Sequence, residues 1–454
     1  MTVSVLNVKS SRIILALSLM CFAPVTGLAP AATLYVSRGG GHNEPYASWA
    51  DAATNIQDAL DAAVDGDTVL ITNDTYVLSS QIVISSNITV SGLGDPPPVI
   101  DGNNSCRCVL IEHPGAVVER FRIRRGRDNS TNSPSGGGGV YMSGGILRDC
   151  TVDGCTAAGA LPYGGGVLCE YGGVVQRCAV SSNSTDYGGG MALFYGGMAE
   201  SCLVIENQAS VSGGGVYLSG SSNPEEYGVA ENCTIASNSA SISGGGVYSS
   251  HGRCVNDIIY FNSCSTGTNY YRVNTNEFTR CCISPVLPGN IDTNPVFSGA
   301  DSGNYRLGGL SPCIDAGTNG VLVEKDMDGV WFGLDGNGDG TNGFDIGAYE
   351  YVRPWTDSDG DGYTDDEEAL AGTDGTDQLD YFVISSIGVE SGDLVLQWSA
   401  KYGRYYTVIS SIDVTGTPFT NVPGHTDVPG TDGVMEYRES AGAVPRFYRV
   451  RITR

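Results

Sequence analysis

Gly137-Gly138-Gly139-Val140-Tyr141, Gly164-Gly165-Gly166-Val167, Gly188-Gly189-Gly190-Met191, Gly213-Gly214-Gly215-Val216-Tyr217 and Gly244-Gly245-Gly246-Val247-Tyr248 are five copies of one phrase, spaced 27, 24, 25 and 31 residues apart. A second phrase follows the first four: Asp149-Cys150-Thr151-Val152, Arg177-Cys178-Ala179-Val180, Ser201-Cys202-Leu203-Val204 and Asn232-Cys233-Thr234-Ile235. The fifth copy reads Asn256-Asp257-Ile258-Ile259, with Asp in the Cys place, and an inserted loop at 221–227 accounts for the long spacing. Each unit holds short apolar alternations broken by Gly and Asn, with no helical period. A unit this short cannot bury its own apolar face and must stack on its neighbours. Three short strands per coil, rising about 4.8 Å per turn, is the parallel β-helix solution. Asn183, Asn207, Asn238 and Asn262 recur three residues beyond the Val or Ile of successive coils, with Cys155 in the first copy. At strand spacing, their amides can hydrogen-bond up and down a ladder.

Working outward, residues 51–64 read as an amphipathic helix with Ile56, Ala59, Leu60 and Ala63 on one face, placed to cap the open end of the solenoid. Lys9 and Arg12, then an apolar run to Val25 and Ala29-Pro30-Ala31, have the pattern of a cleaved signal peptide at 1–31. Its removal takes the formal charge from −26 to −28 and leaves 13 of the 14 Cys in an exported, oxidising setting. No later run is long enough to span a bilayer, so the mature protein is expected to lack a transmembrane segment. The 50 acids against 24 bases argue against nucleic acid as a partner, since phosphate binding needs a basic surface.

The stretch Leu34-Tyr35-Val36, Ile56-Gln57-Asp58-Ala59-Leu60-Asp61-Ala62-Ala63 and Gly66-Asp67-Thr68-Val69 resembles the start of secreted bacterial right-handed parallel β-helix proteins, the pectate-lyase-like group. A subset of that group is similar further: in Gly-Gly-Gly-Val-Tyr coils, in Ser311-Pro312-Cys313-Ile314-Asp315-Ala316-Gly317, and in the closing Asp345-Ile346-Gly347-Ala348-Tyr349-Glu350. The resemblance covers roughly residues 33–351 and implies an architecture, not an activity, because the group holds enzymes, adhesins and other surface proteins. The expected fold is therefore all-β: a right-handed parallel β-helix with its N-terminal cap at 32–352, an acidic linker at 353–377, and a small antiparallel, fibronectin-like β-sandwich at 378–454. Strands are expected there at 381–385, 394–398, 405–410 and 446–452.

The linker carries the sharpest chemical pattern. Counted from Asp357, carboxylates stand at positions 1, 3, 5, 9 and 12, with Gly362 at 6: Asp357, Asp359, Asp361, Asp365 and Glu368. A hard cation wants six to eight oxygens, and Gly at 6 permits the sharp turn, so these residues and the Tyr363 carbonyl form a calcium loop resembling thrombospondin type 3 and EF-hand-like loops. Asp335, Asn337 and Asp339 repeat positions 1, 3 and 5 and are followed by Gly340, but Ile346 stands at 12, which makes a weaker metal candidate.

The strand around Phe121 and Ile123 carries Arg120, Arg122 and Arg124 on its outward side. These either grip acidic glycans or form a charge ladder with Asp149 and Asp153 of the next coil. Outward Tyr171, Phe194, Tyr195, Tyr217 and Tyr248 offer surfaces for sugar rings, or simply satisfy strand propensity. Cys150, Cys178, Cys202 and Cys233 read as a buried column of thiols, and Cys281, Cys282 and Cys313 as the better disulfide candidates. His42, His113, His251 and His425 have no companion nucleophile. The expected function is a secreted or cell-surface protein binding a polysaccharide or cell-surface glycan, or mediating adhesion, without catalysis. The alternative is a polysaccharide lyase or glycoside hydrolase acting on acidic polysaccharide.

Overall fold

The computed structural model describes residues 31–130, 135–273, 277–318, 324–338, 340–353, 356–359, 361, 363–411, 420–440 and 447–453. The segment expected to be a signal peptide, 1–31, lies outside them except for Ala31. From Thr33 to Ile283 the chain winds as a right-handed parallel β-helix. Its first sheet has ten strands, from Thr33–Val36 to Glu277–Thr279. A second has eight, from Ile82–Ile84 to Tyr270–Arg272, and a third nine, from Thr75–Val77 to Cys282–Ile283. A fourth, short sheet of five strands runs from Arg127–Asp128 to Ser239–Ala240.

The repeat sets the register. Val140, Val167, Met191, Val216 and Val247 stand side by side on successive coils of the second sheet. The glycine triplets before them stack through backbone bonds such as Gly139 N to Gly166 O (3.0 Å) and Gly166 N to Gly190 O (3.0 Å). A side chain has no room there: a Cβ on Gly137, at φ +60°, would lie 2.3 Å from the Val140 carbonyl. Two further corners per coil are left-handed without glycine. Asp149, Arg177, Ser201, Asn232 and Asn256 precede the Cys column, and Ser182, Glu206, Ser237 and Phe261 precede the Asn column, all at φ between 48° and 58°. Such corners cost about 1 kcal/mol each, and the Asn ladder offsets this. Asn183 Nδ2 donates to Asn207 Oδ1, Asn207 to Asn238 and Asn238 to Asn262, each at 3.0 Å, and the ladder runs on to Asn269.

The column Cys150, Cys178, Cys202 and Cys233 is buried, and all thirteen described cysteines, Cys281, Cys282 and Cys313 included, are thiols. Asp257, in the Cys place of the fifth copy, is fully buried and accepts the Cys233 N–H at 2.7 Å.

The capping helix is shorter than expected, Ile56–Ala62. Asn55 caps it by accepting the Asp58 N–H at 3.0 Å, and Ala53 before it is taken by the first coil through Ser37 N to Ala53 O, 2.9 Å. Beyond the last coil, Phe297–Gly299 and Asn304–Leu307 make a hairpin, and helix Asp365–Ala371 follows the acidic loop. Antiparallel sheets end the chain. Ile384–Glu390, Asp393–Ala400 and Gly433–Ser440 form one, while Tyr405–Ser411 pairs with Phe447–Thr453, Thr420–Asn421 and Val428–Pro429. Trp398, Tyr406, Val408 and Leu396 form the core between them. The first of these strands lies later than expected, and Gly433–Ser440 was not expected at all, because its alternation is mostly polar. Among the described residues no helix is long and apolar enough to cross a membrane.

Candidate glycan cleft and candidate metal centre

The middle residues of Val140–Met142, Val167–Cys169, Met191–Leu193 and Val216–Leu218 are Tyr141, Leu168, Ala192 and Tyr217, which pair side by side and face away from the core. Two of these strands end in the same kind of turn, Glu170-Tyr171-Gly172 and Phe194-Tyr195-Gly196. Tyr171 (φ 50°) and Tyr195 (φ 48°) are left-handed, and each is followed by a left-handed glycine. Their rings stack across the two coils at 5.5 Å and 8°, yet remain 62% and 43% exposed. On the opposite side, Tyr163 lies against Phe194 (4.9 Å) and Tyr217 (5.4 Å), beside the exposed Leu161. These groups line an open cavity of about 550 Å³.

Its polar groups are few. The Tyr141 hydroxyl donates to Glu170 Oε2 at 3.0 Å. Glu170 is only 8% exposed; burial raises its pKa, and the Tyr141 bond works the other way. Ser135 also lines the cavity and is 6% exposed, with a hydroxyl that finds no hydrogen-bond partner among the described residues. Arg107 lies over the Tyr141 ring at 5.3 Å, but it donates to the Gly136 and Gly137 carbonyls and pairs with Asp128. Aromatic walls with a hydrogen-bonding carboxylate and a hydroxyl suit a sugar, whose ring is apolar on its faces and polar at its rim. Among the described residues that line the cavity, Glu170 is the acid. Sequence reasoning picked out Tyr171, Phe194, Tyr195 and Tyr217 but missed Glu170, Ser135 and Tyr163. The available signal was the repeated aromatic-Gly-Gly turn, Tyr171-Gly172-Gly173 and Tyr195-Gly196-Gly197. Tyr248 lies beyond the cavity, stacked between Tyr217 (4.8 Å) and Tyr271 (5.6 Å).

The acidic loop brings Asp357, Asp359 and Asp361 together, each offering a carboxylate oxygen within 4.8 Å of the others. Oxygens sharing one calcium at 2.3–2.6 Å lie at most about 5 Å apart, so the spacing fits. Glu368, in the helix Asp365–Ala371, is 2% exposed, and among the described residues neither of its carboxylate oxygens has a hydrogen-bond partner, nor do the buried Asp359 Oδ2 and Asp361 Oδ2. Burial, then the charges of Asp359, Asp361, Asp365 and Asp357, push the Glu368 carboxyl up to about 8. Asp359 and Asp361 each accept one backbone N–H on Oδ1, from Asp361 (3.1 Å) and Tyr363, which leaves their buried Oδ2 atoms and the Glu368 oxygens as the groups whose needs a cation would match. Asp365 differs: Ser358 N (2.9 Å) and Oγ (2.8 Å) donate to its two oxygens. Tyr363 donates its N–H to Asp361 Oδ1 at 2.8 Å and stacks on Tyr381. Gly362 lies outside the described residues. A Thr364–Glu367 capping box starts the helix, and Arg404 closes its end by donating to Ala369 O (2.8 Å) and Leu370 O (2.9 Å). In the weaker loop, Asp335 accepts Gly338 N (2.7 Å) and Gly340 N (2.9 Å), the Asn337 N–H goes to Asp315, and Asp339 lies outside the described residues.

The three outward arginines each meet a partner. Arg120 donates to the Tyr405 hydroxyl and lies over the rings of Tyr405 (5.3 Å) and Tyr402 (5.7 Å) of the C-terminal sheets. Arg122 grips Asp153 through two bonds, 2.8 and 3.0 Å. Arg124 bonds to the fully buried Asp101 at 2.9 Å, together with Arg125. Burial raises the Asp101 carboxyl, but the bonds from Arg125, Asn103 and Arg124 outweigh it and hold the pKa low. Arg177 completes the series with two bonds to Asp149, 2.8 and 3.1 Å.

No family model matches this chain, and no curated protein matches it. Among solved structures it is similar to the pectin methylesterase from Aspergillus niger in its penultimately deglycosylated and its deglycosylated forms. Each is 10% identical and covers 60% of this chain and 94% of its own, with TM-scores of 0.33 and 0.26.

Proposed function

We propose that this chain is an exported or surface-displayed β-helix protein that binds glycan through the aromatic cleft without chemistry, and that calcium orders the junction leading to its C-terminal sheets. The observation that carries the glycan reading is the open cavity bounded by the exposed Tyr171–Tyr195 stack, with Glu170 and the unpartnered Ser135 hydroxyl among its lining. A soluble surface seldom gathers exposed aromatic rings unless something covers them. The calcium reading is supported by the buried Glu368 oxygens, Asp359 Oδ2 and Asp361 Oδ2, which find no donor among the described residues. When bound, calcium would supply charge neutralisation and no reaction step. Asp357, Asp359, Asp361 and Glu368 would hold it, and the Asp365–Ala371 helix, clasped by Arg404, would fix the wall of the C-terminal sheets. The test is retention of the full mature chain on a panel of immobilised polysaccharides, with calcium and with chelator. Retention on at least one, lost in a Tyr171→Ala, Tyr195→Ala double variant, is the expected result. Release of unsaturated uronates or new reducing ends would overturn the binding-only function in favour of a lyase or hydrolase.

A further inference from the structure

The glycan function just proposed leaves the class of glycan open, and the following rests on it. We infer that the cleft takes a linear, uncharged oligosaccharide lying along the solenoid axis and discriminates against uronates. The direction follows from the register. Tyr141, Leu168, Ala192 and Tyr217 occupy one position on four neighbouring strands, so the cleft crosses the strands and runs with the axis. Three steps between strands make roughly 14 Å, which is longer than a single sugar ring. One end of the aromatic stack is also open. The coil before Tyr171 places Gly144 and Gly145 at the matching turn, as the 2.9 Å bond from Val174 N to Gly145 O fixes. That coil therefore offers Tyr171 no ring on this side, and a pyranose face fits there as the next layer.

The charge follows from what lines the cavity. Glu170 is its charged group, and the adjoining guanidinium of Arg107 is already held by Asp128, Gly136 and Gly137. A uronate carboxylate would meet Glu170 with no free cation among the described lining residues to compensate, inside a chain of net charge −26. A neutral sugar instead brings hydroxyl donors to Glu170 and a partner to Ser135.

The experiment is calorimetric titration of the full chain with cellohexaose, xylohexaose, mannohexaose and hexagalacturonate, at low and high salt. At least one neutral hexasaccharide should bind with an affinity indifferent to salt, and hexagalacturonate about tenfold or more weakly. Tyr171→Ala and Tyr195→Ala, checked for an unchanged melting curve, should each weaken the neutral ligand about tenfold. Glu170→Gln should weaken the neutral ligand while narrowing the gap to hexagalacturonate. Tighter binding of hexagalacturonate, lost in Tyr171→Ala, would overturn this inference and leave the glycan function standing. Neutral binding that ignores both tyrosine variants would place the ligand elsewhere and overturn it too. If no hexasaccharide of either kind binds, the inference and the glycan function fall together.

Discussion

Replacing Glu368 with Gln should reverse the protein's response to calcium. In the parent, three carboxylate oxygens sit within 4.8 Å of one another, and at that distance each like-charge pair repels by about 1 kcal/mol in water and about 3.5 kcal/mol at the dielectric of a protein surface. Glu368 adds a fourth, buried carboxyl whose oxygens find no donor among the described residues. The cation-free loop is therefore held closed against its own charge, and a divalent cation at its centre turns repulsion into attraction. If the loop binds at about 10⁻⁴ M, as extracellular modules do, calcium at a hundredfold excess over that value stabilises the fold by about 2.7 kcal/mol, a shift of several degrees in melting temperature. The Gln variant removes a carboxyl that the cation-free fold holds protonated up to about pH 8, at a cost to stability because the unfolded chain ionises it near 4.5, and it removes one bidentate ligand with it. In chelator it should melt above the parent; in calcium it should melt below. The assay is scanning calorimetry of the full mature chain and the variant, each with chelator, calcium and magnesium. Magnesium should substitute badly because it demands a smaller octahedral shell. A parent melting curve that does not move with calcium, or a variant that moves as far as the parent, refutes the site.

Three further outcomes follow from the geometry. Asn207→Ala orphans the buried Asn183 N–H and takes one acceptor from Asn183 Nδ2, while Asn238 Oδ1 keeps the bond from the residue-207 N–H, so at about 1–3 kcal/mol for an unsatisfied group it should lower stability by about 2 kcal/mol in urea unfolding; a loss under about 0.5 kcal/mol would show that the ladder is ornamental. Glu170→Gln should alter the pH dependence of stability. Burial raises the folded carboxyl above its unfolded value near 4.5, so the parent binds its proton more tightly when folded and loses stability as pH climbs through that window. Gln has no such loss, and its stability relative to the parent should grow between pH 4 and 7; a constant difference in urea midpoint would contradict this. Tyr405→Phe removes the hydroxyl that accepts from Arg120 and reaches the Gly94 carbonyl, so it should raise amide exchange at 94–95 and 402–405, with a cost of about 1 kcal/mol. Unchanged exchange there would mean that the contact does not hold the C-terminal sheets to the solenoid.

The solenoid was legible because its constraints repeat. Gly137, Gly164, Gly188, Gly213 and Gly244 are all left-handed, and every coil solves the same close backbone approach in the same way. Asn183, Asn207 and Asn238 could be aligned as a ladder before any coordinate was known, because a side chain that bonds to its copy in the next coil must recur at the coil period. The cleft was only half legible. Tyr171 and Tyr195 recur, but Glu170 has Phe194 at its place in the next coil and Ser135 lies on a loop with no counterpart, so neither leaves a periodic trace. What brings the two to one cavity is where the chain folds back, and spacing does not encode that. The same reasoning explains the second strand set: Gly433–Ser440 pairs along its whole length with Asp393–Ala400, yet shows little apolar alternation because most of its side chains face water.

The closing motif carries the argument one step further. The segment around Asp345-Ile346-Gly347-Ala348-Tyr349-Glu350 lies on the flank of the solenoid, with Gly347 N bonded to Asn256 O at 2.7 Å and Ala348 N to Thr234 Oγ1 at 3.0 Å. It has no strand ladder, so its buried N–H groups need other acceptors. Asp345 takes those of Asp315 (2.7 Å) and Tyr351 (2.5 Å); Glu350 takes those of Gly333 and Leu334 (2.8 Å each). Asp326 takes those of Asp328 (2.8 Å), Val330 (2.7 Å) and Glu350 itself (3.0 Å). The acids that give this motif its signature are thus backbone clasps that let an irregular segment lie buried against the coils. That is why the motif points to an architecture, while the ligand has to be argued from Glu170 and the rings around it.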